Sequence, residues 1–391
     1  VSAHNPSETA QIEPAELRHA AELTFLAAYD PGPRPPGWLM TPRAVVTFIM
    51  GGDGVLHLPA PVDGVPSSAE VTPKFVGERG LVERSVVTLA GERGLLLVGE
   101  PGTAKSMLSE LLSAAISGTS GLTVQGTAGT TEEHLRYGWN FALLLAKGPS
   151  RAALAPSPVL TALRSGRLAR VEEVTRCLPE VQDALVSILS DRRMAVPELA
   201  GTADGDGSAA DEGGFLARPG FNVIATANLR DRGVSEMSAA LKRRFNFEVV
   251  PPIADLDAEV ALVRRQAGAA IARHDRGLGV DDAVIEALVT AFRDLRSGRS
   301  AEGWAVDRPT TVMSTAEAVG VTTSLALQTA YFDVRDPVSL LPGYLLGTVR
   351  KDDAEDQGRL LAYWDSTVRH RAEDGARLWK HLYELRHVLG D

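Results

Sequence analysis

Cysteine is almost absent. Cys177 stands alone in 391 residues, which excludes an internal disulfide and fits a reducing compartment. Long apolar runs are also missing: stretches such as residues 45–50 and 95–98 fall far short of the ~20 residues that span a bilayer. The opening VSAHNPSETA has no basic segment leading into an apolar one, so no secretory signal is expected and a cytoplasmic location is. The eight histidines are scattered singly, and no Cys/His spacing suggests zinc. Positive charge is scarce, since 40 Lys and Arg against 50 Asp and Glu leave a net charge of −10. That balance, without a basic strip interleaved with aromatics, argues against a dedicated nucleic-acid binder.

What is present separates by composition. Residues 1–70 read as a loosely defined N-terminal region, with a helix over 15–29 that ends at DPGPRPPG. Thr41 and Pro42 supply an N-cap and first-turn pair for a second short helix through Met50. GGDGVLHLPAPVDGVPSS then reads as a linker. Residues 71–252 alternate helical and strand-like segments: GLVERSVVTLAGE, LLLV, a helix from Lys105 to about Ile116, LTVQG, RLARV and FNVIATAN. This rhythm predicts a parallel sheet with helices on both faces. Residues 253–350 read as a smaller helical domain. Residues 351–391 read as two amphipathic helices interrupted near Gly375. The polar, glycine-rich stretch 200–214 is expected to be mobile.

LLLVGEPGTAKSMLSELL carries the clearest chemical signal. A strand, a glycine turn and a helix N-terminus form a phosphate cradle, in which Gly99 and Gly102 supply the turn. Lys105 would reach the β- and γ-phosphates and Ser106 would ligate Mg²⁺. Ala104 stands where glycine is usual, and is tolerable if its φ is negative. A second strand end must then carry carboxylates. Glu172 and Glu173 follow RLARV, although an acidic pair favouring the next helix N-terminus would look the same. Arg170, inside that strand, would be expensive to bury unpaired and is expected at a solvent- or subunit-facing end. VIATAN places Asn228 where it could orient a water molecule. In SAALKRRFNFE, Arg243 or Arg244 could reach a neighbouring subunit, and Phe245 and Phe247 alternate toward a core. A basic helix end would explain the two arginines as well.

Together these segments resemble the AAA+ ATPases, and within them the MoxR-type branch, over roughly residues 71–350. GEPGTAKS is similar to that branch's phosphate loop, which commonly has alanine before the lysine. The resemblance implies a P-loop AAA+ parallel-sheet αβα domain over 71–252, followed by a smaller helical lid over 253–350 and C-terminal helices over 351–391. It implies ATP contacts along Gly99, Glu100, Pro101, Gly102, Thr103, Ala104, Lys105, Ser106 and Met107, with Val76 and Gly77 of FVGERGLV near the base. RVEEVTRCLPEVQDALVSILSDRRMAVPEL resembles the Walker B strand and its helix. Glu172 takes the usual aspartate position, near magnesium through its water shell, and Glu173 takes that of the catalytic glutamate. VIATANLRDRG resembles the sensor 1 strand, with Asn228 as sensor. SAALKRRFNFE resembles the arginine-finger segment, with Arg244 as finger. A hairpin is implied near 192–222. In the insertion GTAGTTEEHLRYGWNFALLLAKGP, residues Glu132, His134 and Tyr137 would face a pore or simply pack. Arg308 is the sensor 2 candidate, and Arg176 would point across a subunit interface.

The resemblance further implies a ring, hexameric by that likeness, with ATP between subunits. Lys105 and Ser106 would hold phosphate and Mg²⁺, Glu173 would activate water, and Arg244 of the neighbour would stabilise charge. The cargo would be a partner protein, such as one carrying a von Willebrand factor A domain, with no membrane role. Two rival readings keep the fold: a DNA motor, opposed by the acidity, and a nucleotide-dependent switch or scaffold with weak turnover.

Overall fold

The computed structural model describes residues 12–200, 213–228, 235–272, 274, 279–351 and 353–390. The glycine-rich stretch 201–212 and the LRDRG part of the sensor-like segment, within 229–234, lie outside the described residues. The chain divides into two compact units, one of residues 1–100 and 104–250, the other of residues 101–103 and 251–391.

The first unit opens with α1 (Ala15–Arg18), α2 (Ala20–Tyr29) and α3 (Pro42–Met50). The Thr41 side chain accepts from the Ala44 N–H and Pro42 sits in the first turn of α3, so that helix starts where its cap chemistry dictates. These helices are not a loosely defined region. Phe25, Leu26, Met40, Val45, Phe48 and Ile49 are buried in the same core as Leu95 and Leu97 of the central sheet. Lys74 pairs with Glu22 and lies 4.6 Å from the centroid of the Phe48 ring. The stretch read as a linker also holds structure: β1 (Val55–His57) pairs antiparallel with β2 (Ser68–Glu70). Two three-residue strands within glycine- and proline-rich sequence leave no periodic signal to read.

The chain continues through α4 (Arg79–Ala90), β3 (Gly94–Val98), α5 (Lys105–Ser117), β4 (Thr123–Gln125), α6 (Glu132–Leu135), β5 (Tyr137–Trp139), α7 (Phe141–Lys147), β6 (Leu154–Pro156) and α8 (Pro158–Ser165). Next come β7 (Leu168–Glu172), a 3₁₀ turn at Val174–Arg176, α9 (Pro179–Asp191), β8 (Arg193–Ala195), β9 (Gly214–Leu216), β10 (Asn222–Ala227), α10 (Ala239–Lys242) and β11 (Phe245–Val249). Five strands form a parallel sheet in the order β11-β3-β10-β7-β4. Leu96 and Val98 face one core and Leu95 and Leu97 the other. That is why LLLV reads as a continuous apolar run: both faces of its strand are covered. β5 pairs with β6, and β8 with β9, as short antiparallel hairpins.

Strand β11 corrects one expectation. Phe245 is buried, but Phe247 on the same face is 41% exposed. β11 is an edge strand of the sheet, and of its five residues Phe245 alone is buried.

The second unit is helical: α11 (Leu256–Ala272), α12 (Asp282–Ser297), α13 (Thr315–Tyr331), α14 (Leu341–Val349), α15 (Asp356–Tyr363), a π-helical turn at Trp364–Val368, α16 (Arg369–Glu373) and α17 (Arg377–Glu384). Leu288, Phe292, Leu345, Leu360 and Trp364 share one core, so residues 351–390 pack with the helices before them. The fully buried Glu259 of α11 is clamped by Arg293 and Arg296 of α12 and by the Thr315 hydroxyl of α13, which donates at 2.6 Å. Among the described residues no helix is long and apolar enough to cross a membrane.

Candidate active site

The loop after β3 turns through Gly102, at φ 76°, and Ala104, at φ 64°. The expectation of a negative φ at Ala104 is therefore wrong. The residue before α5 takes the left-handed conformation, as a glycine there would, and a methyl group costs about 1–2 kcal/mol in it. Ala104→Gly is expected to raise stability by up to about 1 kcal/mol net of the extra chain entropy. For a unit of this size that is an upward shift of about 2–4 °C in a thermal melt. Lys105, buried at the first position of α5, donates from Nζ to the carbonyls of Gly99 (2.9 Å) and Glu100 (2.7 Å). Burial pushes its ammonium down to about 8, against the pull of Glu173, Glu172 and Glu100.

Glu172 ends β7 and is almost wholly buried. Its Oε2 accepts from the Ser106 hydroxyl (2.7 Å) and the Thr226 hydroxyl (2.8 Å). Its Oε1 accepts from the Ser109 hydroxyl (2.5 Å) and Arg170 Nη2 (2.8 Å). Burial alone would raise this carboxyl. Arg170 and the three hydroxyl donors outweigh burial and hold it below the usual range, so it is ionised. Arg170 is not at a solvent- or subunit-facing end as expected. Its side chain is 11% exposed, and the ion pair with Glu172 removes the penalty that made it look misplaced.

Glu173 follows in the left-handed region, φ 52°. Its N–H donates to Thr226 Oγ1 at 2.9 Å, and its carboxylate, one-third exposed, is ion-paired with Arg176 Nε. Arg176 thus turns back onto its own chain, where the sequence suggested it would cross to another. Gly126, after β4, is required at this corner: a Cβ there would lie 2.4 Å from the Glu173 carbonyl and 2.9 Å from that of Glu172. Asn228 follows β10, whose Ala227 is in register with Val98, at the same sheet end as the loop. It is 8% exposed, and its Oδ1 has no hydrogen-bond partner among the described residues.

Lys105, Ser106, Glu172 and Glu173 are brought together. Arg244 is not among them: its Nε donates to Ser190 Oγ (2.8 Å) and its Nη1 to the Ala240 carbonyl (3.1 Å). There it lines an open cavity of about 490 Å³ with Asp183 and Asp191. Arg243 is exposed. Val76 is half-buried and Gly77 exposed, ahead of α4, which packs on β3. Arg308 is exposed in the second unit, beside Gly298. The three insertion residues have partners in their own unit. Glu132 pairs with Arg136, His134 caps Thr131 and the Tyr137 hydroxyl donates to Glu198 at 2.9 Å.

Ser109 and Thr226 were missed in the sequence, though both left a signal. Ser109 lies three residues after Ser106, on the same helix face, and Thr226 two residues before Asn228, on the same strand face.

A glycine loop joining strand to helix, with a lysine, a hydroxyl and a buried carboxylate meeting at the carboxyl ends of a parallel sheet, defines a P-loop nucleotide-binding domain. Here a helical domain follows it. A family model described as the AAA domain (dynein-related subfamily) matches residues 94–245, and one described as the YehL-like AAA+ ATPase C-terminal domain matches residues 257–390. The uncharacterized protein YehL of Escherichia coli (strain K12) is 44% identical over 381 residues, covering 97% of this chain and 98% of that protein. The chain belongs to the YehL-like AAA+ ATPases. Protein SH1500 of Staphylococcus haemolyticus (strain JCSC1435) is 28% identical over 207 residues, 52% of this chain and 69% of that protein. Among solved structures, the Holliday junction branch migration motor RuvB of Thermotoga maritima is similar at a TM-score of 0.43 and 15% identity, covering 81% of this chain and 88% of that one. NtrX from Brucella abortus in complex with ADP is similar at a TM-score of 0.44 and 14% identity. The match covers 81% of this chain but spans only 63% of the NtrX chain.

The Lys105 shift makes a pH prediction. A lysine whose value is depressed to about 8 loses its charge as pH rises through that value, and with it the attraction to phosphate. Affinity for ATP, measured calorimetrically from neutral to alkaline pH, is expected to fall above about 8, well below the ~10.4 of an ordinary lysine.

Proposed function

We propose that the chain binds ATP with magnesium and hydrolyses it, acting as a ring-forming, MoxR-type remodeller of partner proteins. The observation that carries this reading is the meeting of the Ser106 hydroxyl with the buried, ionised Glu172 carboxylate, next to the desolvated Lys105 ammonium. The donor set fits both groups. An ammonium and a helix N-terminus suit a triphosphate. A hydroxyl beside a carboxylate suits a hard cation that takes few protein oxygens and prefers water and phosphate. Asn228 Oδ1, buried and without a hydrogen-bond partner among the described residues, fits an acceptor for a water proton.

Lys105 would hold the β- and γ-phosphates and Ser106 the magnesium, whose charge, when bound, neutralises the phosphate oxygens. Glu172 fixes the Ser106 hydroxyl. Glu173 would accept the proton of a water whose oxygen bonds to the γ-phosphorus as the bond to the ADP oxygen breaks, and Asn228 would orient that water. Arg244, held at Ser190 away from its own Glu172, fits a residue that completes the site of a neighbouring copy, and the resemblance makes the ring a hexamer. A von Willebrand factor A partner rests on the resemblance alone. A switch with slow turnover is the second reading, favoured by the ion pair between Glu173 and Arg176, which occupies the carboxylate that must act as base.

Phosphate release and sedimentation, measured together in ATP and magnesium, test the proposal. Turnover that Glu173→Gln abolishes, with nucleotide-dependent assembly, supports the remodeller. Binding and assembly without turnover select the switch, and a chain that binds no nucleotide ends both.

A further inference from the structure

We propose that Arg170 is a positioning residue for the magnesium-site carboxylate, and that it ties this carboxylate to the N-terminal helix α1. The inference rests on the ATP reading above and goes beyond it.

Arg170 and Glu172 are two apart on β7, so their side chains share the face that packs on α5. All three guanidinium nitrogens are engaged. Nε donates to Ser109 Oγ (3.0 Å), Nη1 to the Ser120 carbonyl (3.0 Å), and Nη2 to the Ser106 carbonyl (3.0 Å) as well as to Glu172 Oε1 (2.8 Å). One planar group thereby grips both residues that would face the magnesium, and the Ser109 hydroxyl that braces the carboxylate. Each Glu172 oxygen accepts two hydrogen bonds, so its orientation is set by four donors from three elements: α5, β7 and β10. The glutamate and the arginine form one device.

The far end of that device is α1. The N–H and hydroxyl of Ser120, whose carbonyl Arg170 holds, donate to the two carboxylate oxygens of Glu16 at 3.0 and 2.7 Å. The same helix also meets α5 itself, where the Ala15 N–H donates to Glu110 Oε1 at 2.8 Å. A continuous hydrogen-bonded path thus runs from Glu16 through Ser120 and Arg170 to Glu172 and Ser106, within one unit of the fold. Residues before the phosphate loop, with no catalytic group of their own, reach the metal site along it.

The test is binding of a fluorescent ATP analogue by the full chain, first in EDTA and then through a magnesium titration, with a thermal melt of each variant. Arg170→Met is expected to leave the affinity in EDTA unchanged and to raise the magnesium needed for half-maximal tightening by about 10- to 100-fold, the usual effect of removing a group that orients a metal's partners. Arg170→Lys should restore little, because an ammonium cannot hold four acceptors in a plane. Glu16→Gln should move the magnesium midpoint in the same direction by less. If Arg170→Met does not fold, Ser109→Ala, which removes one anchor from each partner, takes its place. A magnesium titration that matches the wild type in these variants overturns the proposal. So does an equal loss with and without magnesium, which marks a purely structural role. A wild-type chain with no magnesium-dependent binding instead refutes the ATP reading itself, and the proposal with it.

Discussion

Glu173→Gln is expected to slow ATP turnover by about 10²- to 10⁴-fold, the span that a positioned general base contributes, while nucleotide affinity stays near that of the wild type. The contrast follows from where Glu173 sits. Its backbone is held in the left-handed region by the Thr226 hydrogen bond to its N–H, and by the approach of Gly126 to its carbonyl. Neither depends on the side chain, so glutamine keeps the corner intact. The carboxylate itself is one-third exposed and makes no bond to Ser106, Lys105 or Glu172, the groups that would hold nucleotide. Removing its charge therefore removes the proton acceptor, the ion pair with Arg176 and one of three carboxylate attractions on Lys105, of which Glu172 and Glu100 remain. Phosphate release at saturating ATP, alongside a titration with a fluorescent analogue, separates the two effects. Unchanged turnover would place the base elsewhere.

Arg371→Met is expected to destabilise the helical unit by about 3–5 kcal/mol, the cost of leaving one partner of a buried ion pair alone. Arg371 donates to Asp294 Oδ2 (2.8 Å), to the Tyr363 hydroxyl (3.1 Å), and through Nε and Nη2 to both oxygens of Glu302 (2.8 Å each). It also lies 4.5 Å from the centroid of the Trp379 ring. Methionine keeps some of the packing but strands Asp294, which is 2% exposed and, among the described residues, keeps the Tyr363 hydroxyl as its side-chain donor. Burial already raises the Asp294 carboxyl, with Arg371 the main opposing influence. A carboxyl raised above its unfolded value binds more protons in the fold, so stability falls as pH rises through that window. The deficit of the variant should accordingly shrink in acid, as Asp294 takes up a proton. Urea unfolding of the full chain, followed by tryptophan fluorescence at neutral and acid pH, measures both. A loss that does not change with pH would show that packing, not the stranded charge, sets it.

Much of this architecture was legible in the residues because its signals are local. LLLV, RLARV and FNVIATAN announce strands by short apolar runs, and the lysine and serine after the glycine turn announce phosphate chemistry through their spacing. The long amphipathic helix α12 is readable for the same reason. Other elements defeated a local reading. β1 and β2 are too short to show a period. The sign of φ at Ala104 was misread because side-chain preference, taken alone, disfavours what the loop imposes.

By itself the sequence determined the central strands and the long helices, the parallel order of the sheet, and the lysine and hydroxyl that follow its glycine turn. All of these follow from periodicity and spacing within a few residues. Only the tertiary structure decided that Arg170 is a partner of Glu172 rather than a charge out of place, that Arg176 folds back onto Glu173, and that residues 15–50 complete the core beneath the phosphate loop. Arg170 and Glu172 stand only two residues apart, but what surrounds their pair comes from groups 50 or more residues away, as Ser120 meets Arg170 and Ser106 and Thr226 meet Glu172. There the cost of burying a charge is set by the partners the fold delivers, which no window of sequence contains.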